Sequence, residues 1–164
     1  MRMRMRWDEE GGRMGGAMSR PVTPDQRRAL IEEVKKIYGE LAGRPLERQC
    51  TGRAECCRFR LTGRTPFLTK GEALVAAAAV RAAGRKRLVA TADGSCPLLV
   101  GGRCSIYESR PFGCRTHFCE AAGGPAARGA VRDLIQRLED IDGKLGGSGG
   151  VNLVTAIEAA LAGK

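Results

Sequence analysis

The feature that most constrains this chain is the placement of its seven cysteines, Cys50, Cys56, Cys57, Cys96, Cys104, Cys114 and Cys119. An odd count leaves one thiol over in any scheme of paired disulfides, and the N-terminal stretch carries no apolar run of the kind that opens a secretory signal. A reducing, cytoplasmic setting is therefore expected. There a free cysteine usually behaves as a small buried hydrophobe and occurs singly. Here they form one group at Cys50, Cys56 and Cys57 and a second at Cys96, Cys104 and Cys114, with Cys119 close behind. Clustering of this kind points to metal ligation.

Thiolate sulfur suits zinc and iron, and the cation keeps the sulfur ionised near neutral pH. His117, the single histidine, lies three residues after Cys114 and two before Cys119, where an imidazole nitrogen can join the ligand set. Cys114 follows Pro111, which can open a helical turn whose free N–H groups favour negative charge. Arg53, Arg58, Arg103, Arg110 and Arg115 lie in or beside the cysteine segments, placed to offset the charge of a thiolate-rich site and to donate hydrogen bonds to sulfur. Gly101-Gly102 reads as a hairpin turn joining Leu98–Val100 to Arg103–Ile106. In that register Cys96 and Cys104 point to opposite faces unless Pro97 breaks the strand.

The rest of the chain reads as mainly α with short β elements, a small α+β fold in which irregular Cys-rich loops pack on helices. Aromatic residues make up only 4% of the 164, so the core is built from Ala, Leu, Val and Ile, and such a core gains from a metal staple. Residues 1–20 read as a disordered arm, and Met3, Met5, Met14 and Met18 offer later starts. Residues 21–145 read as the cysteine-cluster domain, and 146–164 as a Gly-rich linker with a short helix.

Within the domain, Thr23-Pro24-Asp25-Gln26 is a capping box opening a helix with Leu30, Ile31, Val34, Ile37, Tyr38 and Leu41 on one face, stopped by Gly43 and Pro45. Arg58–Thr62 alternates like a strand. Thr69 with Glu72 caps an Ala-rich helix over 70–83, ended by Gly84, and Arg85-Lys86-Arg87 reads as a solvated turn. Leu88–Thr91 reads as a strand. Val131, Leu134, Ile135, Leu138 and Ile141 mark a helix starting near Pro125 and stopping at Gly143.

The formal charge of +10 draws the chain toward polyanions. The excess is mostly arginine without interleaved aromatics, so specific nucleic-acid binding is not expected. No segment has the roughly 18 consecutive apolar residues of a membrane span. The partner expected is a metal ion or cluster; a protein partner is left open.

From Cys96-Pro97-Leu98-Leu99 through Cys104-Ser105-Ile106-Tyr107-Glu108-Ser109-Arg110-Pro111-Phe112-Gly113-Cys114-Arg115, the sequence closely resembles the YkgJ-like cysteine-cluster family, which is described as chelating zinc or iron. The family's upstream C-x2-C-x2-C-C run is matched by Cys50, Cys56 and Cys57, with Arg53 where the second cysteine falls. The resemblance covers about residues 48–120 and implies metal binding rather than a reaction.

Four functional classes follow from the residues. The first is an iron–sulfur protein, most simply with a four-iron cluster held by four of Cys50, Cys56, Cys57, Cys96, Cys104 and Cys114. Seven cysteines and His117 also suffice for two four-ligand sites. The second is a structural zinc module serving as scaffold or interaction domain. A catalytic metal site is third, with Tyr107, Glu108, His117 and Glu120 as the nearby acid–base groups. Thiol redox chemistry is fourth, disfavoured because no C-x2-C motif is present.

Overall fold

The computed structural model of the protein describes residues 21–46, 50 and 52–163. The N-terminal arm lies outside the described residues. Among the described residues six α-helices are formed: α1 Pro24–Ala42, α2 Phe59–Thr62, α3 Lys70–Ala82, α4 Phe112–Thr116, α5 Arg132–Lys144 and α6 Leu153–Leu161. Two two-stranded antiparallel sheets accompany them, pairing β1 Phe67–Leu68 with β4 Val151–Asn152 and β2 Leu99–Val100 with β3 Arg103–Cys104. The mainly α, small α+β reading holds.

α1 opens on the expected capping box: the Gln26 N–H donates to Thr23 Oγ1 at 3.2 Å and the Thr23 N–H to Gln26 Oε1 at 3.0 Å. Its apolar spacing buries Val34, Ile37, Tyr38 and Leu41. α3 lies at the centre. Small side chains let α1, α5 and α6 approach it closely, and Gly71 marks the tightest point, since a Cβ there would stand 2.9 Å from Val34 Cγ2 and 3.2 Å from Ile141 Cγ2. Outside this contact, Arg137 of α5 joins Glu40 and Glu33 of α1 at 2.6 and 2.7 Å.

The segment read as a Gly-rich linker folds around a buried carboxylate. Asp142 of α5 accepts the Lys70 N–H at 2.6 Å and the Gly149 N–H at 2.9 Å, so one side chain caps α3 and holds the 146–150 loop. Gly147 packs on it so closely that a Cβ would fall 2.2 Å from Asp142 Oδ1. The loop then delivers β4 to β1, with Leu68 opposite Val151, and sends α6 back along α3. Arg81 Nη2 donates to the Ala160 and Leu161 carbonyls at 3.0 and 2.9 Å, placing a cation at the α6 C-terminus.

Three local expectations change. Arg58–Thr62 is not a strand: Phe59–Thr62 is a helical turn closed by Gly63 at φ 62°, whose N–H donates to the Phe59 carbonyl at 2.8 Å, and among the described residues no strand pairs with it. Leu88–Thr91 is not a strand either. Leu88 is buried with its N–H on the Glu158 carboxylate, while Thr91 Oγ1 donates to the Ser95 carbonyl at 2.7 Å in a side-chain-stabilised turn. α5 begins at Arg132, after a 3-10 turn over Arg128–Val131, and runs through Gly143 to Lys144. In the basic turn, Lys86 and Arg87 are exposed, but Arg85 donates through both terminal nitrogens to the Pro97 carbonyl at 3.1 Å.

Candidate metal centre

Three stretches of irregular chain bring the thiols together. In the first, Ala54 takes a left-handed conformation at φ 55°, the one non-glycine residue to do so among those described. That geometry costs an alanine roughly 1–2 kcal/mol. It starts the 3-10 turn Glu55–Cys57, which carries both adjacent cysteines. The Cys57 carbonyl then accepts the Cys96 N–H at 2.7 Å, tying the two cysteine groups through their backbones.

The second stretch resolves the question of register. β2 starts only at Leu99, whose N–H closes a turn on the Cys96 carbonyl at 2.9 Å, so Cys96 lies outside the strand as Pro97 requires. Gly101 and Gly102, at φ 56° and 77°, make the two-residue hairpin turn, and Cys104 stands opposite Leu99. Cys96 and Cys104 therefore reach one cavity. In the third stretch, Pro111 precedes α4, and the Phe112 N–H donates to Glu72 Oε1 at 2.8 Å. The same buried carboxylate accepts the Thr69 N–H at 3.0 Å and the Tyr38 hydroxyl at 3.4 Å, fixing α4, and with it Cys114, against α1 and α3.

The resulting cavity has a volume of about 660 Å³ and is lined by Cys50, Cys56, Cys57, Cys96, Cys104, Cys114 and His117. Phe59, Pro66, Leu98 and Leu153 supply apolar wall, and Arg103, Tyr107 and Arg110 complete the polar side. Cys119 is not among the lining residues; it lies beside Cys56 and helps to lower that thiol. Among the described residues, no three His, Cys, Asp or Glu side chains gather closely enough to hold a single ion. The thiols line the space instead of meeting at one point.

Burial dominates the thiol electrostatics. It pushes Cys96 up to about 11 and raises Cys104 and Cys114, the last further through the neighbouring thiols and Glu72. The short helix that carries Cys114 does not offset this, contrary to the sequence expectation. Cys56 is the exception: a hydrogen bond from Cys57, with the Arg110 charge and Cys119 assisting, lowers it to about 6, and Cys57 is raised in return. His117 is lowered by burial and by Arg64, which favours the neutral imidazole that a metal needs. In metal-free protein, iodoacetamide is therefore expected to label Cys56 first, its rate rising through pH 6 as the thiolate forms and levelling above it. Peptide mapping across pH 5–9 checks this, and equal labelling of all seven thiols at pH 7 contradicts it.

The arginines divide by role. Arg53 is exposed and paired with Glu55 at 3.7 Å. Arg58 is exposed. Arg115 stacks on Tyr38 at 4.4 Å and donates Nε to the Arg110 carbonyl at 2.8 Å, clamping the 108–115 segment. Arg110 faces the cavity, and its Nε is the one buried side-chain nitrogen or oxygen without a hydrogen-bond partner among the described residues. A buried cationic donor lacking an acceptor, beside six thiols, fits an anionic metal–thiolate centre.

The profile of the CxxCxxCC family, a "Putative zinc- or iron-chelating domain", matches residues 49–130. The chain belongs to the CxxCxxCC family. No curated protein and no solved structure matches the chain. The matched range holds all seven thiols and His117, so membership assigns metal binding, of zinc or iron, to the part of the chain that builds the cavity. The departure at Arg53 puts an exposed ion pair where the CxxCxxCC pattern has a thiol. Sequence reasoning did not find Leu153, which lines the cavity from outside the matched range, nor the second role of Glu72 beyond its helix cap. No described helix is long and apolar enough to cross a membrane.

Proposed function

We propose that this CxxCxxCC protein holds an iron–sulfur cluster in the cavity, most simply a 4Fe-4S cluster bound by four of Cys50, Cys56, Cys57, Cys96, Cys104 and Cys114, in a reducing, cytoplasmic setting. The carrying observation is that six thiols from three separate stretches share one space of about 660 Å³. A closed zinc site takes four donors, with thiolate sulfur about 2.3 Å from the metal, and leaves no such volume. A cluster spreads its thiolates over a wider span and carries net negative charge, which Arg103 and Arg110 offset from the same wall.

When bound, such a cluster supplies one-electron transfer. The chain's own contribution is to hold the thiolates apart at fixed positions, to keep water from the inner wall with Leu98 and Leu153, and to balance charge with arginine. His117 and Cys119 stand at the edge of this set as reserve donors. Protein purified without oxygen is expected to be brown and to contain about four iron and four acid-labile sulfide per chain. Colourless protein with one or two zinc per chain and no sulfide would replace this reading with a structural zinc scaffold.

A further inference from the structure

We propose that Arg110 is a positioning residue that donates its Nε–H to a sulfur ligand of the bound metal centre. The inference rests on the metal centre proposed above and assigns a task to a residue outside the ligand set. Three observations carry it.

First, the guanidinium is held in place. It lies over the Tyr107 ring at 3.9 Å, the Arg110 N–H donates to the Tyr107 carbonyl at 3.3 Å, and the Arg110 carbonyl receives Arg115 Nε at 2.8 Å. Second, Nε is sealed from solvent and has no partner. Leaving a buried charged donor unmatched costs more than leaving a neutral one so, and a fold that fixes it there gains from an acceptor supplied later. Third, no Asp or Glu side chain is among the described lining residues, whereas six thiols are. The acceptor that fits is therefore thiolate or sulfide sulfur.

Planarity matters as well as charge. The ring stack aims one N–H of a rigid fork, and a lysine ammonium on a flexible stem reproduces the charge without that direction. Of the other arginines, Arg53 is paired with Glu55, Arg115 donates to backbone carbonyls, and Arg103 is an exposed side chain on the cavity wall.

The test uses the full chain purified without oxygen with its iron–sulfur cluster, whose sulfur-to-iron charge-transfer band reports hydrogen bonding to sulfur, together with the rate of iron loss to EDTA. R110M and R110K are both expected to hold iron and sulfide at wild-type stoichiometry with unchanged far-UV circular dichroism. Both should shift the band to longer wavelength and lose metal about tenfold faster, in line with lost partners of metal ligands elsewhere. If R110K restores band and rate, charge alone suffices and the donation is overturned. If neither variant moves the band while wild type binds metal, the arginine is merely structural and the proposal falls while the metal centre stands. Should wild type purified without oxygen hold no cluster, the centre itself fails and the proposal with it. If R110M does not fold, Y107L serves in its place: it frees the guanidinium from its stack and is expected to shift the band in the same direction by less, an unmoved band counting against the proposal.

Discussion

Cys114→Ser is expected to lose most of its metal, while Cys119→Ser keeps it. The contrast follows from position. Cys114 lines the cavity on a helix anchored to Glu72, whereas Cys119 lies outside the lining residues, beside Cys56. Binding of a structural metal contributes roughly 10–16 kcal/mol shared among four ligands. One lost thiolate therefore removes on the order of 3 kcal/mol, more than a hundredfold in affinity. Cys57→Ser and Cys96→Ser should behave like Cys114→Ser. Cys50, exposed at the rim, should fall between the two extremes. Metal content by elemental analysis, with the visible spectrum, ranks the series. A Cys119→Ser protein stripped of metal beside an intact Cys114→Ser would overturn the assignment of the inner thiols.

The largest effect on the scaffold is expected at a residue with no part in metal binding. Asp142→Ala leaves the Lys70 and Gly149 N–H groups without their acceptor and opens space beneath Gly147. Each buried donor left unmatched costs about 1–3 kcal/mol, so a loss of roughly 2–5 kcal/mol is expected, a large share of the stability of a domain this size. The change should act at two places at once, fraying the start of α3 and releasing the 146–150 loop with β4. Urea denaturation gives the loss in free energy. Hydrogen exchange at Val151 and Leu153 shows whether the loop and α6 have come free. A loss below about 0.5 kcal/mol would show that the Asp142 contacts are not worth their burial.

How far the sequence revealed this architecture depends on the range of the interactions involved. Thr23 with Gln26, and Thr69 with Glu72, announce helix starts because a capping box is complete within four residues. The Gly101-Gly102 hairpin is local in the same way. For Cys96 and Cys104 the residues offered only a condition, that Pro97 break the strand, and β2 indeed begins at Leu99 so that both line one cavity. What stayed hidden depends on distant partners. The glycines of 146–150 look like a tether until Asp142 is found beneath them, and the alternation at Arg58–Thr62 looks like a strand until no neighbour among the described residues is there to pair. Likewise, an ion-pairing Arg53 and an unmatched Arg110 carry the same letter in sequence; only burial separates them.

The place of Leu153 in the wall has a consequence for biosynthesis. Every thiol precedes this residue in the chain, and its N–H is anchored to the Pro66 carbonyl at 2.9 Å only once β4 has met β1. A ribosome therefore delivers the full complement of sulfurs before it delivers the side chain that shields them. For that interval the nascent protein presents reactive thiols on an open face, so the order of translation sets a window in which oxidants and stray metals compete with the intended cargo.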